Sequence, residues 1–172
     1  MPKGLKSNSG QIVISGSVTE SAAGVYTQEQ IDLQLNVLDR EVFVVQATDL
    51  NLTLPEIFAA GTDSSANGCL SVVSRADIGT LANSNVFGNI RIQCEGNNTG
   101  QYVVNTSQSG ESPATTLDYV AIIATNDFFA AVQSFGGANP QTMDYRIWGY
   151  RAIADAATYA ALTQSELLSS GL

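Results

Sequence analysis

Carboxylates, hydroxyls and two thiols are the side chains that could carry out chemistry in this sequence, because it contains no histidine. Without an imidazole, Ser-His-Asp catalysis, Cys-His catalysis and histidine metal sites are excluded. Two Asp or Glu side chains can still hydrolyse a glycosidic bond, and the candidates here are Asp49, Asp63, Asp118 and Asp144. Their spacing does not single out a pair, and the sequence lacks the glycine-rich motifs that hold phosphates. We therefore predict that the protein is not an enzyme.

Metal and thiol chemistry have little support in the sequence. Cys69 and Cys94 have neither CxxC spacing nor histidine partners, which argues against zinc. They could form a disulfide, but two buried free thiols are the favoured interpretation. Residues 63–65 and the pair Asn126-Asp127 offer oxygen ligands for a loop Ca²⁺, although the same residue types are typical of turns and helix caps. We predict no cofactor and leave loop calcium open.

The surface is expected to be polar but sparsely charged. The formal net charge is −9, yet only 13% of the residues are charged, against about 25% in an average domain. Ser (17), Thr (14), Asn (12) and Gln (11) are abundant instead. A neutral polar surface loses little solvation energy when it is buried, because few full charges must leave water. The composition therefore favours a subunit with several neighbours, and the acidic balance argues against a nucleic-acid partner.

Modification and targeting signals are weak. Three Asn-x-Ser/Thr sequons begin at Asn51, Asn97 and Asn105, but chance accounts for most sequons in a chain this rich in Asn and Thr, so glycosylation stays open. No apolar run is long enough to span a membrane. The only lysines, Lys3 and Lys6, lie in a Gly/Ser/Lys-rich start. We predict that this arm reaches towards neighbouring subunits or towards an anionic membrane surface.

Hydrophobic periodicity predicts mainly strands. Residues 41–48 are apolar on both faces and should form a central strand, and residues 31–37 alternate with a period of two. A helix that begins with a capping box at Thr27 is the alternative to the strand at 31–37. Further strands are expected at 11–18, 69–75, 86–94, 102–105, 117–125 and 143–151, and residues 126–135 fit either a strand or a short helix. We also expect a helical turn at 55–61, a loop at 62–68, and a surface loop or hairpin at 95–116. A terminal helix should be capped by Asp155 and end near Gly171.

Trp148 and Tyr150 stand out within the strand predicted at 143–151. They share a face with Asp144 and Arg146, whereas Met143, Tyr145 and Ile147 occupy the other face. An outward Trp148 could be a ligand platform or an interface anchor, although a solitary tryptophan is more often a core residue. The candidate interface residues are therefore Lys3, Lys6, Trp148 and Tyr150.

Seven or eight strands with long polar loops predict an all-β protein. The expected fold is an antiparallel single jelly-roll sandwich or barrel with a short C-terminal helix. We divide the chain into an extended N-terminal arm and first strand (1–26), a jelly-roll domain (27–152) and a C-terminal helix packed on it (153–172).

Two blocks of the sequence resemble viral coat proteins. They comprise residues 38–45 (LDREVFVV) with the following Asp49-Leu50, and residues 154–162 (ADAATYAAL) with 166–168 (ELL). They are most similar to the small major capsid protein of icosahedral archaeal viruses with an internal membrane, the sphaerolipovirus group. The resemblance implies a single upright jelly roll that pairs with a larger jelly-roll coat protein in a shell around a membrane. It implies no enzymatic activity.

The expected function is thus that of a capsid shell subunit located in the virion. Its partners would be copies of itself and a second capsid protein, and the arm could contact the viral membrane. A decoration protein on a tailed-phage head is the first alternative. A carbohydrate-binding β-sandwich module is the second, and it would be favoured if Trp148 and Tyr150 were exposed beside Asp and Asn side chains.

Overall fold

The structure is a computed structural model that describes residues 3–55, 62–96, 101–109 and 118–169. Most of these residues lie in strands, as the β-branched runs of the sequence predict. The strands are β1 (Leu5–Ser7), β2 (Ile12–Thr19), β3 (Thr27–Asp32), β4 (Glu41–Leu52), β5 (Asp63–Ser71), β6 (Val86–Gly96), β7 (Tyr102–Ser109), β8 (Ala121–Ile123), β9 (Asp127–Phe135) and β10 (Thr142–Ala154). One 3-10 turn covers Val37–Asp39, and one helix, α1, covers Ala156–Ser169.

The strands form two antiparallel sheets. In the first sheet, β10 pairs with β1 and β2 on one side and with β4 on the other, and β8 pairs with the far side of β4. The second sheet has the order β3-β9-β5-β6-β7. Without β1 and β7, the two orders are 2-10-4-8 and 3-9-5-6, so the chain changes sheet at nearly every connection. This is the arrangement of a jelly roll, and the predicted fold class is confirmed, including the C-terminal helix.

The main core lies between the two sheets. Its fully buried members include Phe43 and Met143 from the first sheet and Leu70 and Phe128 from the second. The ring of Phe128 meets those of Phe87 and Tyr145 edge to face, with centroids 6.1 Å apart in both pairs. Such contacts add to the stabilisation from burial alone.

Helix α1 covers part of the outer face of the first sheet. Tyr159 and Leu162 pack there against a small apolar cluster that includes Val42, Val44 and Ala154. The neighbouring β4 residues Phe43 and Val45 point into the main core, because successive strand side chains alternate between faces. The apolar character of β4 on both faces is explained by this double burial, and its prediction as a central strand is confirmed.

Two expectations for residues 27–37 need correction. The residues of the possible capping box form β3, paired with β9, so the helix interpretation is wrong. The strand expected over 31–37 ends at Asp32, and Gln34 has a left-handed backbone (φ 52°). The Asn36 side chain accepts a hydrogen bond from the Leu38 N–H and so favours a 3-10 turn over a strand. Leu33 and Leu35 are buried in the main core although they lie outside any strand.

Other boundaries also differ from the sequence expectations. The loop expected at 62–68 is most of β5, which pairs with strands on both sides. Strand β5 ends at Ser71 rather than 75, and β8 is much shorter than the expected strand at 117–125. Residues 127–135 are a strand, which resolves that ambiguity, and the segment at 95–116 contains the end of β6 and all of β7, which pair antiparallel. The helical turn expected at 55–61 lies almost wholly outside the described residues, and the division of the chain into three parts stays a prediction.

Candidate interaction surfaces

The part of the first sheet that α1 leaves open presents Trp148 to solvent. On this face Trp148 of β10 lies between Val13 of β2 and Ala47 of β4. The two rows beside it complete what we call the Trp148 face, which consists of Val13, Trp148 and Ala47, then Ser15, Arg146 and Asp49, then Ser17, Asp144 and Asn51. Trp148 is half-buried and points away from the main core, so it is not a core residue.

The indole ring of Trp148 is already engaged within the chain. The guanidinium carbon of Arg146 lies 5.8 Å from the ring centroid, within the range of a cation–π contact. A sugar that stacked on the same face of the ring would have to displace the guanidinium. Asp49, Asn51 and Asp144 are exposed nearby, as a carbohydrate site would require, but Arg146 already occupies this face of the indole.

Tyr150 shares the outer face with Trp148 because alternate residues of β10 point to the same side, and the β4-β10 register shifts between Trp148 and Gly149. Gly149 then comes so close to Val44 and Phe43 that a Cβ there would lie 2.4 Å from the Val44 carbonyl oxygen. Tyr150 lines an open groove of about 480 Å³ whose other walls are Ser7, Ser9, Gly10, Gln11, Gln46 and Asp118. Burial, together with the nearby Asp118 charge, raises the pKa of Tyr150. The groove is therefore lined mainly by neutral polar groups.

The four candidate catalytic carboxylates are not brought together. Asp49 and Asp144 share an open groove of about 540 Å³ on the Trp148 face, Asp118 lies beside Tyr150, and Asp63 begins β5 in the other sheet. The Asp63 carboxylate accepts a hydrogen bond from the Gly96 N–H. Both members of the adjacent pair Asp49 and Asp144 are exposed.

The candidate calcium ligands Asn126 and Asp127 already form hydrogen bonds within the chain. The Asn126 side chain accepts a hydrogen bond from the Leu35 N–H at 2.5 Å and donates one to Asp32 at 2.7 Å. The Asp127 carboxylate accepts one from Gln30. Across residues 3–55, 62–96, 101–109 and 118–169, no group of three or more His, Cys, Asp or Glu side chains could hold a metal ion.

The two cysteines are buried free thiols, as predicted. Cys69 lies opposite Asn89, whereas Cys94 lies opposite Ser64, which is five residues from Cys69 along β5. At about 3.4 Å per residue, this separation far exceeds what a disulfide can bridge. Burial raises the pKa of Cys69, which disfavours the reactive thiolate.

Three buried glutamates form sites that the sequence did not reveal. Glu20, at the end of β2, is 3% exposed. Its carboxylate accepts hydrogen bonds from the Ser134 N–H at 2.5 Å, the Ser134 hydroxyl at 2.8 Å and the Gln141 N–H at 2.7 Å. All three donors come from β9 and the connection that follows it. Glu20 therefore ties the end of β2 to the loop between β9 and β10.

Glu41 joins the N-terminal arm to the start of β4. Its carboxylate accepts hydrogen bonds from the Asn36 N–H at 3.0 Å and the Asn8 side chain at 3.1 Å, and it pairs with Arg151 at 3.3 Å. Burial alone would raise the pKa of Glu41, but these donors and the Arg151 charge outweigh it and lower the pKa. The carboxylate thus works as a charged clamp.

Glu166 attaches α1 to the connection between β8 and β9. Its two carboxylate oxygens accept the N–H groups of Ala124 and Thr125, both at 2.8 Å. Burial is the largest influence on Glu166 and raises its pKa. Glu166 lies on the same helical face as Tyr159, seven residues before it, and Leu162, four residues before it. A glutamate at an apolar position of this pattern is the one sequence signal for the site.

The predicted interface lysines lie apart from the Trp148 face. Lys3 and Lys6 are both exposed, and Lys6 lies opposite Ile153 in the β1-β10 pair. Leu5 is buried between them and packs in the cluster beneath α1. The Asp155 N–H donates to the Gly4 carbonyl at 2.9 Å, and the Asn8 N–H donates to the Arg151 carbonyl at 2.8 Å. The described part of the arm therefore runs along β10 and presents its lysines from a fixed backbone.

Comparisons with known proteins give no family assignment. No family model matches the chain, and no curated protein does either. Among solved structures, one of desmodium yellow mottle tymovirus is similar at 11% identity, covering 91% of this chain and 96% of that one, with a TM-score of 0.28. A tailspike protein gp49 from Acinetobacter baumannii bacteriophage Fri1, a capsular polysaccharide depolymerase, is similar at 11% identity over 72% of this chain and 20% of that one, with a TM-score of 0.16. At these TM-scores the similarities support no conclusion about function. No helix in the described ranges is long and apolar enough to cross a membrane.

Proposed function

We propose that this chain is a structural, non-enzymatic subunit of a virion shell that assembles with copies of itself. The observation that carries the proposal is the jelly-roll order of the strands, 2-10-4-8 over 3-9-5-6, which is an architecture of viral capsid and lectin domains. Fold alone does not decide between these functions, so the surfaces must do so.

The surfaces favour assembly over ligand chemistry. The buried carboxylates of Glu20, Glu41 and Glu166 each accept hydrogen bonds from the chain's own loops, as a structural role requires. Arg146 lies over a face of Trp148, the best candidate for a sugar platform. The groove at Tyr150 is open and lined mainly by neutral polar groups, with Asp118 as the one charged residue in the described part of its lining. Such a groove can be buried against a neighbour at a small desolvation cost.

The resemblance to small capsid proteins supplies the finer part of the proposal. The residues that carry it form the 3-10 turn with β4, and the end of β10 with α1, and these two blocks pack against each other on the first sheet. In this account, a larger jelly-roll protein is the second shell component. Lys3 and Lys6 face either that protein or an internal membrane, where each basic side chain would contribute about 1 kcal/mol.

Quantitative mass spectrometry of purified virus particles tests this proposal. We expect this chain in a fixed ratio to a second jelly-roll protein, with both at the copy numbers of a lattice. A fixed ratio to an unrelated major coat protein would instead indicate a decoration protein. Absence from the particles would overturn the virion role and favour a binding module.

A further inference from the structure

Strand β7 is unusual because residues 102–107 are exposed on both of its faces. It pairs with β6 along its whole length, from Gly96 opposite Tyr102 to Asn89 opposite Ser109. Tyr102, Val103 and Val104 are 37%, 59% and 46% exposed, although consecutive strand residues point to opposite faces. Residues 105–107 are exposed as well. The strand therefore projects beyond the main core as an uncovered margin of the second sheet.

The outer edge of β7 also lacks the features that usually protect an edge strand. Natural edges are kept short, charged, interrupted by proline or covered, because their free N–H and C=O groups can pair with another chain. The edge strand β8 has three residues and lies beside α1, and β3 carries the exposed charges of Glu29 and Asp32. Strand β7 has eight residues, YVVNTSQS, with neither a charge nor a proline. Among the described residues, no strand pairs with its outer edge.

The other uncharged edge, β2, differs from β7 in its packing. Ile12, Ile14 and Val18 of β2 pack on the main core, so only the opposite face of β2 is open. In β7, residues 102–107 are exposed on both faces, and within the described ranges no strand pairs with the outer edge.

We propose that β7 is the strand through which two copies of this chain associate, by antiparallel pairing of the outer edges of their β7 strands. This inference rests on the proposed shell function and deepens it by naming the contact between copies. A two-fold axis brings the same strand from each copy together in the antiparallel direction. Each chain carries a net charge of −9, so a contact between copies is favoured where neither contributes a carboxylate. Strand β7 meets that condition, and pairing would cover Val103 and Val104.

Lysine substitution tests this contact without removing core residues. The double variant Val103→Lys/Asn105→Lys puts two positive charges on one face of β7, where they would meet the same charges of the second copy. The matched control is Glu29→Lys, which puts a lysine on the exposed edge strand β3, outside the Trp148 face, and raises the net charge by two units as the double variant does. Circular dichroism establishes that both variants are folded, and analytical ultracentrifugation over a concentration series measures self-association.

We expect the wild type and Glu29→Lys to dimerise with similar dissociation constants and the β7 double lysine variant to stay monomeric over the same series. A 1:1 mixture with Val103→Glu/Asn105→Glu should restore a dimer that contains one copy of each variant. Hydrogen exchange should show additional protection of β7 amides on dimerisation.

The inference about β7 is overturned if the double lysine variant dimerises as well as the wild type, if Glu29→Lys alone abolishes the dimer, or if the wild type stays monomeric throughout. None of these outcomes removes the chain from a virion shell, since that role is judged by its presence in particles. Conversely, a β7 dimer formed by a protein that is absent from particles would uphold the contact and overturn the shell function.

Discussion

Removal of the Glu20 carboxylate should destabilise the protein strongly. The substitution Glu20→Ala leaves the Ser134 N–H, the Ser134 hydroxyl and the Gln141 N–H without their acceptor in a site where Glu20 is 3% exposed. Each buried donor left unpaired costs about 1–3 kcal/mol. The hydroxyl can rotate to another acceptor, whereas the two backbone donors are fixed. We therefore expect the free energy of unfolding to fall by about 2–6 kcal/mol, a large share of the roughly 5–15 kcal/mol typical of a domain.

Urea denaturation followed by tryptophan fluorescence and circular dichroism measures this effect. The matched control is Glu29→Ala, which removes an exposed glutamate of β3 and should change the free energy of unfolding by no more than about 0.5 kcal/mol. Glu20→Gln should fall between the wild type and Glu20→Ala, because the amide keeps one acceptor oxygen. If Glu20→Ala were as stable as the control, Glu20 would not be the clamp that joins β2 to the β9-β10 connection.

Three further predictions concern the packing and the titration of the chain. Gly149→Ala should unfold at a urea concentration well below that of the wild type, because its Cβ would lie 2.4 Å from a backbone oxygen. The control Gly10→Ala, with no atom within 4 Å of its Cβ, should unfold at the same urea concentration as the wild type. Equal urea midpoints for the two variants would contradict the packing around Gly149. The pKa of Glu41 is lowered on folding. The wild type should therefore be more stable than Glu41→Gln at neutral pH, and this difference should disappear as the pH falls through the folded-state pKa of Glu41. A stability difference independent of pH would refute the charged clamp. Cys69 and Cys94 should react with a thiol reagent only after denaturation, because both are buried, and fast labelling of the native protein would be inconsistent with that burial.

The strands predictable from sequence are those whose side chains alternate between core and solvent. In β6, Ile90 and Ile92 are buried while Arg91 is exposed, and the sequence alone indicates this division. The same holds for the two faces of β10. The Asp155 cap was also predictable, since its carboxylate accepts the Thr158 N–H at 2.7 Å, and a short polar side chain before an apolar helical pattern is the usual signal of a helix start.

The elements that sequence reasoning missed depend on tertiary contacts. Strand β5 contains Ser64, Ser65 and Asn67, which are typical of a loop, yet it pairs with β6 on one side and β9 on the other. Neutral polar residues can occupy such a position because each is small and able to find a hydrogen-bond partner. Leu33 and Leu35 show the converse, because they keep a strand-like alternation while the backbone turns at Gln34.

The interaction surfaces were only partly accessible from the sequence. Trp148 and Tyr150 could be placed on one face by alternation, but the position of Arg146 over the indole ring depends on side-chain packing. Glu20 is separated by more than one hundred residues from the donors it accepts, at Ser134 and Gln141. No local pattern reports a contact between residues so far apart in the chain.

Cryo-electron microscopy of purified particles tests the central claim most directly, because it shows whether this chain is built into a virion shell. The account predicts density for two packed sheets with strand orders 2-10-4-8 and 3-9-5-6 at lattice positions throughout the shell, with side-chain density that matches Trp148 and the bulky core residues. A shell accounted for completely by other proteins, with no position left for this jelly roll, would contradict it.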